Sequence, residues 1–219
     1  TTSTGRVYRY DALVIATGAS PARLGIPGEE LNSVMHFRDL NDTRTLIELS
    51  QSRQRAVVVG GGFLGLEAAE GLLRRGMAVT VLHRSSHLLN RQLDPDSGKL
   101  LSDALTSTSP LQLLGRDSVR AIQLNDQTLI CTDLVIIATG ITPNRELAQN
   151  AGLACGRGIQ VNAQLQTSAP DIFALGECCE FNDETFGLVE PGYQQAKILA
   201  SVLAGPTEGA AYQPSVTAT

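Results

Sequence analysis

VVVGGGFLGLE, residues 57–67, is the stretch that decides the fold. A β-branched run breaks into three consecutive glycines, and a helix-forming segment with one acidic residue follows. Gly60, Gly62 and Gly65 have the spacing G-x-G-x-x-G. In this pattern the first glycine permits a tight turn, the second lets the main chain approach a diphosphate, and the third packs helix against strand. The helix N-terminus then presents unpaired N–H groups and a partial positive charge to the anion.

The residues around the glycines provide the context that this spacing requires. The pattern predicts a strand, a turn, a helix and a second strand, over residues 56–59, 60–62, 63–75 and 77–83. Strand, helix and strand within about thirty residues match a βαβ crossover. The sequence therefore predicts a dinucleotide-binding unit. The residues expected at the cofactor are Gly60, Gly62, Phe63, Leu64 and Gly65.

The choice between NADH and NADPH is usually made at the end of the second strand. An acid there would hydrogen-bond a ribose 2′-OH and repel a 2′-phosphate, but this chain has His83 and Arg84. Two interpretations stay open. The pair accommodates a 2′-phosphate, which admits NADPH, or both side chains point into solvent, which leaves NADH.

Phe63 and Glu67 lie four residues apart on one face of the predicted helix, close to where a nicotinamide would extend. They are the candidate catalytic residues. An acid near a helix N-terminus also stabilises the helix, so a structural role stays equally open.

One phrase occurs on both sides of the glycine unit. Asp11–Gly18 reads DALVIATG and Asp133–Gly140 reads DLVIIATG. Each copy predicts a buried strand that ends in small residues, where another chain segment or a ligand can approach the backbone. The simplest explanation is that the chain leaves one domain at the first copy, forms an inserted domain, and returns at the second.

Composition excludes several classes of function. The 219 residues are 42% hydrophobic and carry a net charge of −5, which argues against a nucleic-acid partner. No apolar run has the length of a membrane span, and no secretory signal is present. Neither the four cysteines nor the three histidines have metal-ligand spacing, so no metal site is predicted. We expect a cytoplasmic location. We also expect the chain to be an internal segment of a longer polypeptide.

Four phrases in order resemble the pyridine nucleotide–disulfide oxidoreductase superfamily over nearly the whole chain: YDALVIATGA, GGGFLGLEAAEGL, DLVIIATGITPN and DIFALGEC. Within it, RQLD, ALGEC (with Glu where Asp is usual) and GLVEPGYQQAKILA are similar to the large subunits of NAD(P)H-dependent assimilatory nitrite reductases. The resemblance implies an α/β, Rossmann-like, three-layer FAD/NAD(P)-binding fold, with an NAD(P)H domain inserted in a truncated FAD domain. The implied segments are a first FAD part (1–45), the NAD(P)H domain (46–140), a second FAD part (141–205) and the start of a linker (206–219).

The resemblance also implies roles for individual residues. Thr17, Gly18, Thr139 and Gly140 would lie against FAD or the domain crossing. Gly176 and Glu177 would take the place of the motif whose acid holds the flavin ribityl chain. Phe63 would gate the nicotinamide, and Glu67 would face the point where nicotinamide and flavin meet.

The implied activity is hydride transfer from NAD(P)H to FAD, with electrons passing on to nitrite. The FAD fingerprint would lie upstream of residue 1, and the sirohaem and iron–sulfur ligands downstream, so this segment is expected to bind FAD poorly. Two other functions are compatible with the same sequence motifs. One is a reductase of a small electron carrier such as rubredoxin or ferredoxin, and the other is a non-catalytic NAD(P)H-sensing module. The oligomeric state is open, a homodimer included.

Overall fold

The computed structural model describes residues 4–101, 106–107, 109–205 and 211–214. The chain forms two compact units. The split unit comprises Thr1–Ser20 and Ile141–Thr219, and the central unit comprises Pro21–Gly140. The chain thus leaves the split unit after the first ATG phrase and returns directly after the second.

In the central unit the strands are β3 (Val34–His36), β4 (Arg55–Val59), β5 (Ala78–His83), β6 (Thr106–Ser107), β7 (Pro110–Gly115), β8 (Val119–Leu124), β9 (Leu129–Cys131) and β10 (Leu134–Ile137). Its helices are α1 (Leu40–Ser50), α2 (Phe63–Leu73) and α3 (Pro95–Leu100). In the split unit the strands are β1 (Leu13–Ile15), β11 (Ile141–Pro143), β12 (Ile159–Gln160), β13 (Ile172–Ala174), β14 (Cys179–Phe181) and β15 (Glu184–Thr185). Its helices are α4 (Glu146–Asn150) and α5 (Val189–Ala204), with one 3-10 turn at Gly176–Cys178. The short strand β2 (Ala19–Pro21) spans the boundary and pairs with β11.

A parallel five-stranded sheet forms the middle of the central unit, in the order β3-β10-β4-β5-β6. Successive residues of a strand face opposite sides of a sheet. Ala56 and Val58 of β4 accordingly belong to one buried cluster, with Leu72 of α2, and Val57 and Val59 belong to another, with Ile122 of β8. Helices α1 and α2 cover the first face, and the antiparallel sheet β7-β8-β9 covers the second. The expected three-layer α/β fold is confirmed.

The strand–helix–strand unit predicted around the glycines is present as β4, α2 and β5. Helix α2 ends at Leu73, and Gly76 has a φ of 83°, the left-handed conformation typical of glycine after a helix. The alternating sequence that begins at Asp117 and turns at Asn125-Asp126 predicts a hairpin, and the hairpin is present as β8 and β9.

The split unit has its own core. Strands β1 and β13 pair in parallel, and β12, β14 and β15 form a second small sheet. Ile159, Leu165 and Phe186 are fully buried between these strands and helix α5.

The first domain boundary differs from the sequence-based one. Strand β3 pairs with β10 inside the central sheet, and Leu46 of α1 is buried in the cluster beneath it. Residues 21–45 therefore belong to the central unit, which begins at Pro21 instead of residue 46. Pairing over about 100 residues of sequence separation leaves no local signal, which is why the pattern did not reveal it.

The C-terminal segment also differs from the linker predicted over 206–219. Tyr212 is buried, its N–H donates to the Ala163 carbonyl at 2.7 Å, and its ring packs edge-on against Phe181 and Phe186. Residues 211–214 thus pack into the split unit. The rest of that predicted linker lies outside the described residues.

Two local predictions are also corrected. The first ATG phrase predicts a buried strand over residues 10–16, but the observed strand is the shorter β1, where Ile15 is buried and Leu13 and Val14 are 37% and 39% exposed. After the second ATG phrase, the sequence predicts a loop over residues 142–158, but this segment contains helix α4. Among the described residues, no helix has the length and apolarity to cross a membrane.

Candidate functional site

The loop between β4 and α2 lies at the carboxyl edge of the parallel sheet. Strand β4 has β5 as its neighbour on one side and β10 on the other, so the order of the strands along the chain reverses between β4 and β10. In open α/β sheets a crevice forms at such a reversal, and it is where ligands bind. The glycine loop, Gly60–Gly62, lies at this edge.

The fold itself requires two of the fingerprint glycines. Gly60 has a φ of 127°, and a Cβ there would lie 2.2 Å from the Ala138 carbonyl oxygen. A Cβ on Gly65 would lie 2.0 Å from the Gly60 carbonyl oxygen. Both contacts are with backbone, which cannot yield, so the first glycine serves the turn and the third serves helix packing as predicted.

The protein fold does not require Gly62. Its φ of −87° is open to any residue, and a Cβ there would meet nothing within 4 Å. Gly62 is the N-cap of α2, and no side chain caps the helix. The N–H groups of the first helical turn have no partner within a helix. An open glycine in front of an uncapped helix N-terminus fits the diphosphate of a dinucleotide.

His83 and Arg84 end β5 in different environments. The Gly61 N–H donates to His83 Nδ1 at 3.3 Å, and the Nε2 atom of the same ring is buried without a hydrogen-bond partner among the described residues. Arg84 is exposed. The two adjacent residues, which both open interpretations treat alike, therefore differ in accessibility.

The candidate catalytic residues both lie on the exposed surface of α2. Phe63 is its first residue and is 46% exposed, Leu64 is 40% exposed, and Glu67 is exposed. Glu67 is the fifth helical residue. Because the helix dipole acts mainly on charges in the first turn, the structural explanation for Glu67 loses support.

Thr139 and Gly140 follow β10 and are exposed. They directly follow Ala138, the residue against which Gly60 packs. Gly140 has a φ of 121°, and its carbonyl accepts the Ala22 N–H at 2.9 Å. The structure thus brings ten of the predicted residues to one edge of the central unit: Gly60, Gly62, Phe63, Leu64, Gly65, Glu67, His83, Arg84, Thr139 and Gly140.

The remaining four predicted residues lie in the split unit. Thr17 and Gly18 follow β1, and Gly176 and Glu177 follow β13. Since β1 and β13 are parallel neighbours, with Ile15 paired to Ala174, both dipeptides lie at the same carboxyl edge of that strand pair.

Two residues that sequence reasoning did not single out hold these dipeptides. The Asn144 side chain donates to the Thr17 carbonyl at 2.9 Å, and its backbone N–H donates to the Gly18 carbonyl at 2.9 Å. Gln195 is fully buried on α5, and its Oε1 accepts the Gly176 N–H at 2.7 Å. A buried amide on a largely apolar helix face was the signal available for Gln195.

Two of the four cysteines lie in the core of the split unit. Cys178 and Cys179 are free and buried, and burial raises the pKa of Cys179 to about 12. The reactive form of cysteine is the thiolate, so this residue is inert at neutral pH. In the described part of the chain, no cluster of three or more His, Cys, Asp or Glu side chains is arranged to hold a metal ion.

Comparison with known proteins is consistent with this geometry. The family model "Pyridine nucleotide-disulphide oxidoreductase" matches residues 1–197. The chain is 43% identical to a Bacillus subtilis nitrite reductase [NAD(P)H], with all of this chain and 28% of the relative covered. It is 42% identical to the assimilatory nitrate reductase electron transfer subunit of the same organism, with 91% and 27% covered.

A solved structure, the ferredoxin reductase for the CYP199A2 system from Rhodopseudomonas palustris, superposes with a TM-score of 0.87 at 30% identity. The match covers 94% of this chain and 55% of that one. The chain thus spans little more than a quarter of the length of the two Bacillus relatives and about half of this reductase. The family model covers most of the residues, and the glycine loop has the geometry that its motif predicts. The chain belongs to the pyridine nucleotide-disulphide oxidoreductase family.

Proposed function

We propose that the central unit binds NAD(P)H, and that the chain is the part of a nitrite reductase [NAD(P)H] that delivers hydride to FAD. The observation that carries the proposal is Gly62. Neither its backbone angles nor its surroundings require a glycine, and it lies in front of an uncapped helix N-terminus. A ligand that approaches the main chain at this point explains why a side chain is absent.

The roles of the residues follow from their positions. The N–H groups of Gly62, Phe63 and Leu64 would donate to the diphosphate, assisted by the helix dipole. The exposed Phe63 ring would cover the nicotinamide and exclude water, with Glu67 one turn further along the same face. A bound reduced nicotinamide supplies the hydride chemistry, and the protein contributes alignment. Thr139 and Gly140 would border the same crevice.

The flavin half of the proposal concerns the split unit. Thr17, Gly18, Gly176 and Glu177 share one carboxyl edge, which supports their assignment to the flavin. In the whole protein FAD would receive the hydride, and sirohaem and an iron–sulfur cluster in other segments would carry electrons to nitrite, which is reduced to ammonia. The identity of 43% to a nitrite reductase supports this assignment.

The test is calorimetric titration of the 219-residue chain with NADH and NADPH. Gly62→Ala is expected to weaken nucleotide binding about tenfold or more, because the new methyl group would occupy the space of the diphosphate. The loss of stability is expected to stay within about 1 kcal/mol, because alanine is a poorer N-cap than glycine but its methyl group would meet nothing within 4 Å.

Gly71→Ala is the matched control. Gly71 lies in the same helix and is exposed, and a Cβ there also meets nothing within 4 Å. This variant is expected to bind both nucleotides normally and to be more stable by about 0.5–1 kcal/mol. Equal affinity in the Gly62→Ala and wild-type chains would remove the basis of the proposal.

A reductase of a small electron carrier is the second candidate. The superposition on a ferredoxin reductase, with a TM-score of 0.87, favours it. Assays of the full-length protein separate the candidates: electron transfer to ferredoxin or rubredoxin without nitrite turnover favours a carrier reductase. Nucleotide binding without reduction of an artificial dye would favour a sensing module.

A further inference from the structure

We infer that His83 is a positioning residue for the glycine loop, and that Arg84 alone reads the 2′ position of the nucleotide. This inference rests on the proposed function, because it assigns different roles to two adjacent residues of the proposed NAD(P)H site. It departs from both interpretations that the sequence left open, because each of them gives His83 and Arg84 the same role.

Hydrogen bonds hold the Gly61 residue on both sides. Its N–H donates to His83 Nδ1 at 3.3 Å, and its carbonyl accepts the Leu89 N–H at 3.0 Å. Nδ1 must be unprotonated in order to accept, so the ring proton of the neutral imidazole is on Nε2. Because the Gly61 N–H donates to the imidazole, it does not bind the anion. The N–H groups of Gly62, Phe63 and Leu64, which follow it, would bind the anion instead.

The packing of His83 also explains why the middle residue of the loop is a glycine. The motif leaves this position unspecified, yet a Cβ on Gly61 would lie 2.8 Å from His83 Cγ and 2.4 Å from Leu88 Cδ2. The Leu88 contact is with the tip of a flexible side chain, which can rotate away. The His83 contact is with a ring that a hydrogen bond holds in place, so Gly61 and His83 form a matched pair.

Accessibility separates His83 from Arg84. The Nε2 atom, which carries the remaining ring proton, is buried, so the ring has no accessible donor for a 2′-phosphate. Arg84 is the next residue along the chain and is exposed. Its guanidinium keeps its positive charge at any relevant pH and can donate to phosphate in a bidentate manner.

The experiment titrates NADH and NADPH into the 219-residue chain and three His83 variants. His83→Ala is expected to weaken the binding of both nucleotides by the same factor, about tenfold. His83→Asn is expected to restore affinity to within about threefold of wild type, because its amide oxygen can take the place of Nδ1. His83→Gln, whose amide extends towards the Nε2 position, is expected to behave like His83→Ala.

A double-mutant cycle tests the Gly61–His83 pair directly. Gly61→Ala is expected to lower the urea midpoint and NADH affinity in the wild-type background, and to be much better tolerated when His83 is alanine. Non-additivity of this kind reports a direct interaction between two sites. Additive effects would overturn the pairing.

The outcomes separate this inference from the proposed function. A selective loss of NADPH affinity in His83→Ala would show that His83 reads the 2′ group and would overturn the inference, as would equal affinities for His83→Asn and His83→Gln. If the wild-type chain binds neither nucleotide, the proposed function fails. In that case the urea midpoints of the double-mutant cycle, and the amide 15N shift of Gly61 in His83→Asn, still decide whether Gly61 and His83 interact. If His83→Ala does not fold, His83→Asn and His83→Gln provide the same comparison.

Discussion

At the scale of single residues, the three glycines of the fingerprint are required for different physical reasons. Gly60 is required by its backbone angle and by the Ala138 carbonyl, and Gly65 by the Gly60 carbonyl. Gly62 is required by neither its angles nor its neighbours. Substitution at Gly60 and Gly62 therefore separates the stability of the loop from its proposed binding role.

Gly60→Ala is expected to lower the free energy of unfolding by about 2 kcal/mol or more, because alanine at a φ of 127° is strained and its Cβ meets backbone. Urea denaturation measures this loss, with Gly71→Ala as the control. A Gly60→Ala chain as stable as wild type would show that the loop adopts a different turn.

Arg84→Glu is the residue-scale prediction for cofactor choice. Reversing an exposed charge is expected to weaken NADPH binding about tenfold and to leave NADH binding within about twofold. The effect is expected to shrink at high salt, as it does for other exposed charges. Titrations at two ionic strengths check it, and an equal loss for both nucleotides would contradict the assignment of Arg84 to the 2′-phosphate.

At the scale of elements, one carboxylate joins the starts of two central strands. Asp133, just before β10, accepts hydrogen bonds from the Arg55 N–H at 3.2 Å and from the Arg55 side chain at 3.4 Å. Burial raises the pKa of Asp133, but the hydrogen bonds from Arg55 and from the Gln54 N–H, together with the Arg55 charge, outweigh that effect and lower the pKa below its ordinary value. The corresponding residue of the first DALVIATG phrase, Asp11, is exposed.

Asp133→Asn is expected to reduce stability at pH 7 by about 1 kcal/mol. A carboxylate whose pKa is lower in the folded chain stabilises it fully above the unfolded-state pKa, and this contribution is lost as the pH falls through the folded-state pKa. The difference between wild type and variant is thus expected to shrink as the pH falls below the ordinary carboxyl pKa of about 4, and to vanish once the pH is below the folded-state pKa. Urea melts across pH measure it, with Asp11→Asn as the matched control. A pH-independent difference would contradict the carboxylate's role.

The elements that sequence patterns predicted well are those with a local cause. Strands β4 and β5 are mostly apolar, helix α2 lies between Gly62 and Gly76, and α3 begins at the Asp94-Pro95 cap that the sequence displays. Strands β2 and β3 are three residues long and were missed. So short a segment is stabilised as a strand by its neighbours in the sheet, and its own residues leave no periodic signal.

At the scale of the whole molecule, each unit has a separate core, and the C-terminal segment contributes to one of them. Tyr212 packs edge-on against Phe181 and Phe186, with ring centroids 5.5 and 5.7 Å apart. Its hydroxyl is buried without a well-formed hydrogen bond to any described residue. The ring, more than the hydroxyl, is therefore expected to stabilise the split unit.

Tyr212→Ala is expected to lower the free energy of unfolding by about 3 kcal/mol or more, whereas Tyr212→Phe is expected to change it by less than about 1 kcal/mol. Chemical denaturation with aromatic fluorescence measures both. A negligible effect of Tyr212→Ala would mean that residues 211–214 leave the core in solution.

The proposed flavin site gives a prediction for the chain as a whole. If the FAD fingerprint lies in a segment outside these residues, the purified 219-residue chain is expected to hold far less than one flavin per chain. Absorbance at the flavin bands, compared with the full-length protein, measures this. Stoichiometric flavin in the 219-residue chain would contradict the expectation.

The homodimer stays a prediction, for which light scattering is the measurement.

The sequence by itself determined the glycine-rich turn, its flanking strands and helix, and the central unit that lies between two copies of one phrase. Those features depend on glycine conformations, caps and apolar periodicity, which act between residues close in the chain. The tertiary structure alone decided that β3 joins the central sheet, that Tyr212 fills the other core, and that the His83 ring packs against Gly61. Each of these depends on a contact between segments about 20 to 100 residues apart. Packing between segments so far apart in the chain leaves no pattern in the local sequence from which it could be predicted.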